Sequence, residues 1–203
     1  MSCPNSHTPM KKLLFTLLFL TLGTAWGGAW EDGLAASKRD DYATVIKLWR
    51  PLAKTGNANA QIGIGLMYKE GLGVIQDDKE AVKWFRLAAE QGRVEAQHSL
   101  GSMYNNGQGV LQDYKEAVKW YRLAAEQGHA SAQVNLGSMY GTGQGVLQDY
   151  ARAHMWYNLA SAAGNSQYGT KHRDLVAKLM TPQQIEKAQE MAKACQASNF
   201  KGC

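Results

Sequence analysis

Residues 94–129 read VEAQHSLGSMYNNGQGVLQDYKEAVKWYRLAAEQGH, and the same pattern stands 36 residues before this stretch and 36 residues after it. Residues 58–93, 94–129 and 130–165 align without a gap, the first two being about two-thirds identical. Trp84, Trp120 and Trp156 correspond, as do Tyr68, Tyr104 and Tyr140, and Gly65, Gly101 and Gly137. A fixed period of this length marks a repeat array, whose units bury their apolar stripes only against their neighbours. Two periods upstream, Asp41-Tyr42 through Ala53 and Gly56 matches Asp113-Tyr114 through Ala125 and Gly128, so a half-repeat precedes the three whole units.

Each unit divides into two helices. In the second copy Ala96, Leu100, Met103 and Tyr104 fall at i, i+4, i+7 and i+8, one apolar stripe on a helix A. Asn105-Asn106-Gly107-Gln108-Gly109 stops that helix, because Asn and Gly tolerate the left-handed conformation of a helix end. Asp113 with Glu116 three residues later reads as a capping box opening helix B, repeated as Asp77 with Glu80. Ala117, Trp120, Tyr121 and Ala124 then make the second stripe. Small residues such as Gly101, Ala117, Ala124 and Ala125 allow close helix approach, while Trp120 and Tyr121 fill the space between units.

The third copy is more apolar on helix B, with Ala151-Arg152-Ala153-His154-Met155-Trp156, and Ala162-Ala163 replace Glu126-Gln127. A cover is expected there, and Gln167 to Leu179 is the candidate capping helix. Thr181-Pro182-Gln183-Gln184 starts a last helix running to about Cys195, with Thr181 as N-cap, proline at N1 and Gln184 at N3. The expected fold is an all-α solenoid of helix–turn–helix units. Its divisions are a leader over 1–27, an N-terminal capping half-repeat over 28–57, repeats over 58–93, 94–129 and 130–165, and capping helices with a tail over 166–203.

The pattern Ala-Gln, Leu-Gly-Ser-Met-Tyr, Gly-x-Gly-Val-x-x-Asp, Trp-Tyr, Leu-Ala-Ala-x-x-Gly between Ala96 and Gly128 resembles the Sel1-like repeat, a relative of the tetratricopeptide repeat. The Met180-Thr181-Pro182 ending with Ala188-Gln189 is similar to the C-terminal cap of bacterial members. The resemblance implies a scaffold that holds a protein or peptide on its concave, helix-A-lined face. One branch, cysteine-rich and secreted, is described as binding penicillin and weakly hydrolysing β-lactams. Its repeats each carry a cysteine pair; none of the three repeats here contains a cysteine.

Composition narrows the class further. The chain has 203 residues and 45% hydrophobic content, ample for a core. Lys11-Lys12, the apolar run Leu13 to Leu22 and the small residues Ala25 and Gly27 read as a signal peptide cut after Gly27, with Ala25 or Ala29 as alternative final residues. Met10 opens this signal more conventionally than Met1 does. The run is too short to span a bilayer, and no cysteine follows it to carry a lipid anchor. Export, to the periplasm or beyond, without stable membrane insertion is the expectation. Removing the leader leaves 20 basic against 17 acidic side chains, a net of +3 too mild and too dispersed for nucleic acid. Cys195 and Cys203, close together in an exported chain, suggest a disulfide. A monomer is expected.

A search for chemistry finds no Gly-x-Ser-x-Gly, and the recurring Ser102 and Ser138 sit inside helix A. The histidines His7, His98, His129, His154 and His172 share no metal-ligand spacing, and His154 with Met155 reads as a surface pair on helix B. Gly-x-Gly at Gly71, Gly107 and Gly143 follows a helix, not a strand, and lacks the lysine of a phosphate loop. No enzyme, metal or cofactor is expected. Helix-A positions away from the stripe vary while the scaffold does not. These are Ile62 and Leu66, His98 and Ser102, Val134 and Ser138, with Asn105 and Asn135 beside them, and they are the candidate partner contacts. Competing expectations are a weak β-lactam- or peptidoglycan-directed hydrolase and a structural peptidoglycan-binding envelope component.

Overall fold

The computed structural model describes residues 28–162 and 166–203, and those residues are all helix, turn and loop. The expected leader over 1–27 lies outside the described residues. A first helix, α1, covers residues 28–37. It is followed by α2 (Tyr42–Lys54), α3 (Ala58–Glu70), α4 (Asp78–Glu90), α5 (Val94–Asn106) and α6 (Tyr114–Ala125). Then come α7 (Ala130–Thr142), α8 (Tyr150–Ala162), α9 (Ser166–Ala177) and α10 (Pro182–Ala197). Helices from α2 to α9 pack in chain order, the arrangement of a Sel1-like solenoid, with α3, α5 and α7 as helices A and α4, α6 and α8 as helices B.

Within each unit one glycine sets the helix spacing. A β-carbon on Gly65, Gly101 or Gly137 would stand 2.9 Å from Phe85, 2.7 Å from Tyr121 or 3.0 Å from Tyr157 respectively. The aromatic ring of helix B therefore lies directly on the backbone of helix A. In the half-repeat Trp49 takes this place, stacked on Trp30 of α1 with ring centroids 4.6 Å apart. That contact gives the half-repeat a cover that helix B alone lacks.

Between units, buried glutamines make the joint. Gln61, Gln97 and Gln133 open each helix A, and their Nε2 groups donate to Ala53, Ala89 and Ala125 carbonyls at 3.0, 3.2 and 3.2 Å. Those carbonyls belong to the last turn of α2 and α4 and to the end of α6, where each also accepts from the N–H of Gly56, Gly92 or Gly128 at 3.1, 3.0 and 2.9 Å. Gln91 and Gln127 in turn donate to the Oε1 atoms of Gln61 and Gln97 at 2.7 and 2.8 Å. A second joint runs from the Arg50 and Arg122 guanidiniums to the Tyr68 and Tyr140 hydroxyls at 2.8 and 2.7 Å, with Arg86 bonded to Tyr104 in the same way.

The Gly-x-Gly loops are packing devices. Gly107 ends α5 at φ 67°. Gly109, at φ 68°, would place a β-carbon 2.3 Å from the Asp78 carbonyl of the preceding unit, and Gly145 would do the same at Tyr114. Only glycine meets both the left-handed backbone and the close approach. Asp77 and Asp113 cap helices B by accepting from two backbone N–H groups each. The expected boxes do not close, because Glu80 and Glu116 pair with Lys83 and Lys119 one turn on. Thr181 and Gln184 do close theirs, with bonds of 2.8 and 3.3 Å.

One expectation about the C-terminal end changes. His154 and Met155 are not a surface pair: they are 3% and 1% exposed. Besides α9, α10 with the tail covers α8, since Met155 shares a cavity wall with Met191, Ala194 and Cys195. The capping segment expected over Gln167 to Leu179 forms α9, which packs on α8 as expected and takes the place of a fourth helix A. Gly169 lies against the α8 backbone at Tyr157 and Ser161, at a distance that admits no β-carbon. Cys195 and Cys203 are joined, their α-carbons 5.6 Å apart.

Candidate functional site

The candidate contacts come together on the helix-A face of the second and third units. Asn135 Nδ2 of α7 lies 3.2 Å from His98 Nε2 of α5. His98 also faces His129 and Tyr121, with ring centroids 4.7 and 5.8 Å away. His129 is the N-cap of α7, its Nδ1 accepting from the Ala132 N–H at 3.1 Å. Ser102 and Asn135 stand beside the polar end of the Tyr121 side chain. The repeat sets this geometry, because Gly101 lets the Tyr121 ring settle onto α5 and present its polar end between the two helices A.

A small cavity of about 100 Å³ opens there, walled by Asn105, Tyr121, Asn135, Ser138, Met139 and Gln144. Beyond Ser138 a second cavity, about 270 Å³, lies between α7, α8 and α9. Tyr157 and His172 form its wall, stacked with centroids 5.3 Å apart, and Leu175, Val176 and Leu179 bring apolar surface. No Asp, Glu, Lys or Arg lines either cavity. Burial, reinforced by the neighbouring His129, pushes the His98 pKa down to about 4, so the imidazole is neutral at pH 7. Burial also lowers His129. The surface thus presents neutral amides, hydroxyls and imidazoles beside aromatic rings.

Of the sequence candidates, the structure brings His98, Ser102, Asn105, Asn135 and Ser138 to this surface. Val134 is partly buried against the core, and Ile62 likewise packs into the cluster around Phe85 and Leu100. Leu66 stands on α3, 43% exposed and away from either cavity. Sequence reasoning missed Tyr121, Tyr157, His129 and His172. The first two carried the apolar signal of a core stripe, and their polar ends show only once Gly101 and Gly137 are seen beneath them. His129 and His172 carried no spacing signal, since their neighbours come from other helices.

Other chemistry has little support among the described residues. No group of three or more His, Cys, Asp or Glu side chains is placed to hold a metal ion. A Ser-x-x-Lys spacing occurs at Ser198 and Lys201, but the Ser198 hydroxyl lies 2.9 Å from the Cys195 carbonyl and 3.0 Å from the Lys201 carbonyl, at the end of α10. Burial lowers the His154 pKa first and the nearby Arg173 lowers it further; its Nδ1 has no hydrogen-bond partner in the core. No described helix is long and apolar enough to cross a membrane.

Comparison with known proteins agrees with this architecture. The family model described as Sel1 repeat matches residues 58–92, 94–129 and 130–165. A protective antigen of uropathogenic Escherichia coli with an SLR fold is 35% identical, with a TM-score of 0.71 over 77% of this chain. The chain spans 34% of that antigen's length. A Sel1 repeat protein from Oxalobacter formigenes is 29% identical, with a TM-score of 0.65, the match covering 83% of this chain and 77% of that one. No curated protein matches the chain by sequence. The shared 36-residue period, the helix pairing and the three matched repeats agree, and the chain belongs to the Sel1 repeat family.

Proposed function

We propose that the chain is a non-catalytic scaffold that holds a peptide segment or one face of a partner protein on its helix-A surface. Sel1 repeat proteins are generally protein-interaction scaffolds, and the fold is typically non-enzymatic. The observation that carries the finer reading is the continuous uncharged surface from His98 through Asn135 and Ser138 to His172, crossing three helices. Neutral amides and hydroxyls of this kind suit the N–H and C=O groups of an extended chain, and the aromatic rings supply apolar contact at low entropic cost. The lack of charged walls argues against a strongly charged ligand. The site of action we propose is outside the cytoplasm, most simply the periplasm. The leader pattern and the Cys195–Cys203 bond support that placement.

A tiled peptide array of envelope proteins, probed with the wild-type chain and with the His98→Ala/Asn135→Ala double variant, tests the reading. Peptides that retain the wild type and lose the variant are expected. Identical binding patterns would overturn it.

A further inference from the structure

Leu66, Ser102 and Ser138 occupy equivalent positions on the three helices A, one period apart. On α9 Leu175 lines the larger cavity together with Ser138 and Thr142, next to this row in space although one residue past its period, with Leu179 one turn on. Along the solenoid the row therefore reads aliphatic, polar, polar, aliphatic. The two ends are open to solvent: Leu66 is 43% exposed, Leu175 47% and Leu179 62%. Between them stand the neutral groups His98, Asn105, Asn135 and Ser138. Nothing in the chain's own packing calls for aliphatic side chains at both ends, since the equivalent serines fold as well in the middle copies.

We infer that the occupant of this surface is an extended peptide segment with two apolar side chains flanking an uncharged polar stretch. The inference rests on the helix-A face being the binding surface. The larger cavity, about 270 Å³, is below the size of a small-molecule site and suits a single large apolar side chain against Tyr157, Leu175 and Leu179. The other anchor lies over Leu66. Packed helices sit about 10 Å apart, so the three steps from α3 to α9 span roughly 30 Å, which an extended chain covers in about nine residues. The two apolar residues should stand about that far apart. The peptide carries little charge from α7 to α9, because neither cavity there has a charged wall.

A random peptide library displayed on phage and selected on the full chain tests this. Enriched sequences should carry two apolar residues about nine positions apart with uncharged polar residues between them. A synthetic copy of an enriched peptide should bind Leu66→Ser and Leu175→Ser variants each about tenfold more weakly, the loss expected for one buried aliphatic side chain. Lys83→Ser, on the opposite helix, should leave binding unchanged. Enriched peptides that depend on His98 and Asn135 but not on Leu66 or Leu175 overturn this inference and leave the helix-A reading standing. A wild-type selection that enriches nothing overturns both.

Discussion

The Tyr121 ring rests on the α-carbon of Gly101, its Cδ1 only 2.7 Å from where a β-carbon would stand. The same contact brings the Tyr121 side chain to Ser102 and Asn135, so the packing of the repeat and the chemistry of its face share one joint. Gly101→Ala should destabilise the chain by about 1–3 kcal/mol, because the ring must move and the core is close-packed. Urea unfolding followed by tryptophan fluorescence measures this. Gly92→Ala, where nothing lies near the added methyl, has no such clash but meets the cost of φ 83°. The two variants thus separate steric from backbone effects: Tyr121→Ala should relieve the Gly101→Ala penalty and leave that of Gly92→Ala intact.

The glutamine joints are not equal. Gln97 makes both of its bonds, while Gln133 donates to Ala125 but its Oε1 has no partner among the described residues. The sequence explains the difference, since Ala163 stands where Gln127 and Gln91 stand in the earlier copies. Gln97→Leu should cost about 1–2 kcal/mol, because it removes two hydrogen bonds while the Ala89 carbonyl keeps the Gly92 N–H and the Gln127 amide keeps the Gly92 and Leu123 carbonyls. Gln133→Leu should cost about 1 kcal/mol less, because it also removes an orphaned acceptor. Equal midpoint shifts in urea would show that the second bond contributes nothing.

Acid should weaken the helix-A face. His98 has a folded pKa of about 4 against 6.5 when unfolded, so between those values the unfolded chain binds more protons. Stability therefore falls as pH drops through that window and is recovered above it. The neighbours facing His98 are His129, itself lowered by burial, and the neutral Tyr121 and Asn135; Glu95 lies near His129 and opposes the effect there. His98→Gln should flatten the dependence of the urea midpoint between pH 6.5 and pH 4.5 relative to the wild type. Parallel profiles would refute the burial of a neutral imidazole.

The C-terminal tail depends on its crosslink. Cys195 and Cys203 enclose a short segment in which Asn199 and Phe200 hold left-handed backbone, φ 54° and 64°. Phe200 reaches back to Gly128, at the junction of the second and third units. Reduction should lower stability by about 2–3 kcal/mol through loop entropy and raise amide exchange in residues 198–203 first. Unchanged exchange in the reduced chain would mean that Phe200 packing alone holds the tail.

The repeat was legible because its signals are local: a fixed period, glycines at the ends of helices A, and acidic caps before helices B. The C-terminal end was only half legible. Thr181-Pro182 announced α10, yet no periodicity told which helix it would cover, and His154 and Met155 looked like surface until α9 and α10 lay on α8. The candidate face was legible as positions, since His98, Ser102, Asn105, Asn135 and Ser138 lie off the apolar stripe. Its floor was not, because Tyr121 and Tyr157 are buried by area and polar only at their tips. The Gln61, Gln97 and Gln133 joints recur with the period and could have been found by asking which polar residues repeat inside an apolar stripe.

A photocrosslinking amino acid introduced at Ser138, and in a separate chain at Lys83, tests the central claim most directly when the two proteins are irradiated in living cells and their adducts identified by mass spectrometry. Ser138 lies between the two cavities on helix A, and Lys83 is exposed on helix B. The account predicts discrete adducts from position 138, lost in the His98→Ala/Asn135→Ala background, and none from position 83. The same adducts from both positions, or adducts from position 83 alone, would contradict it.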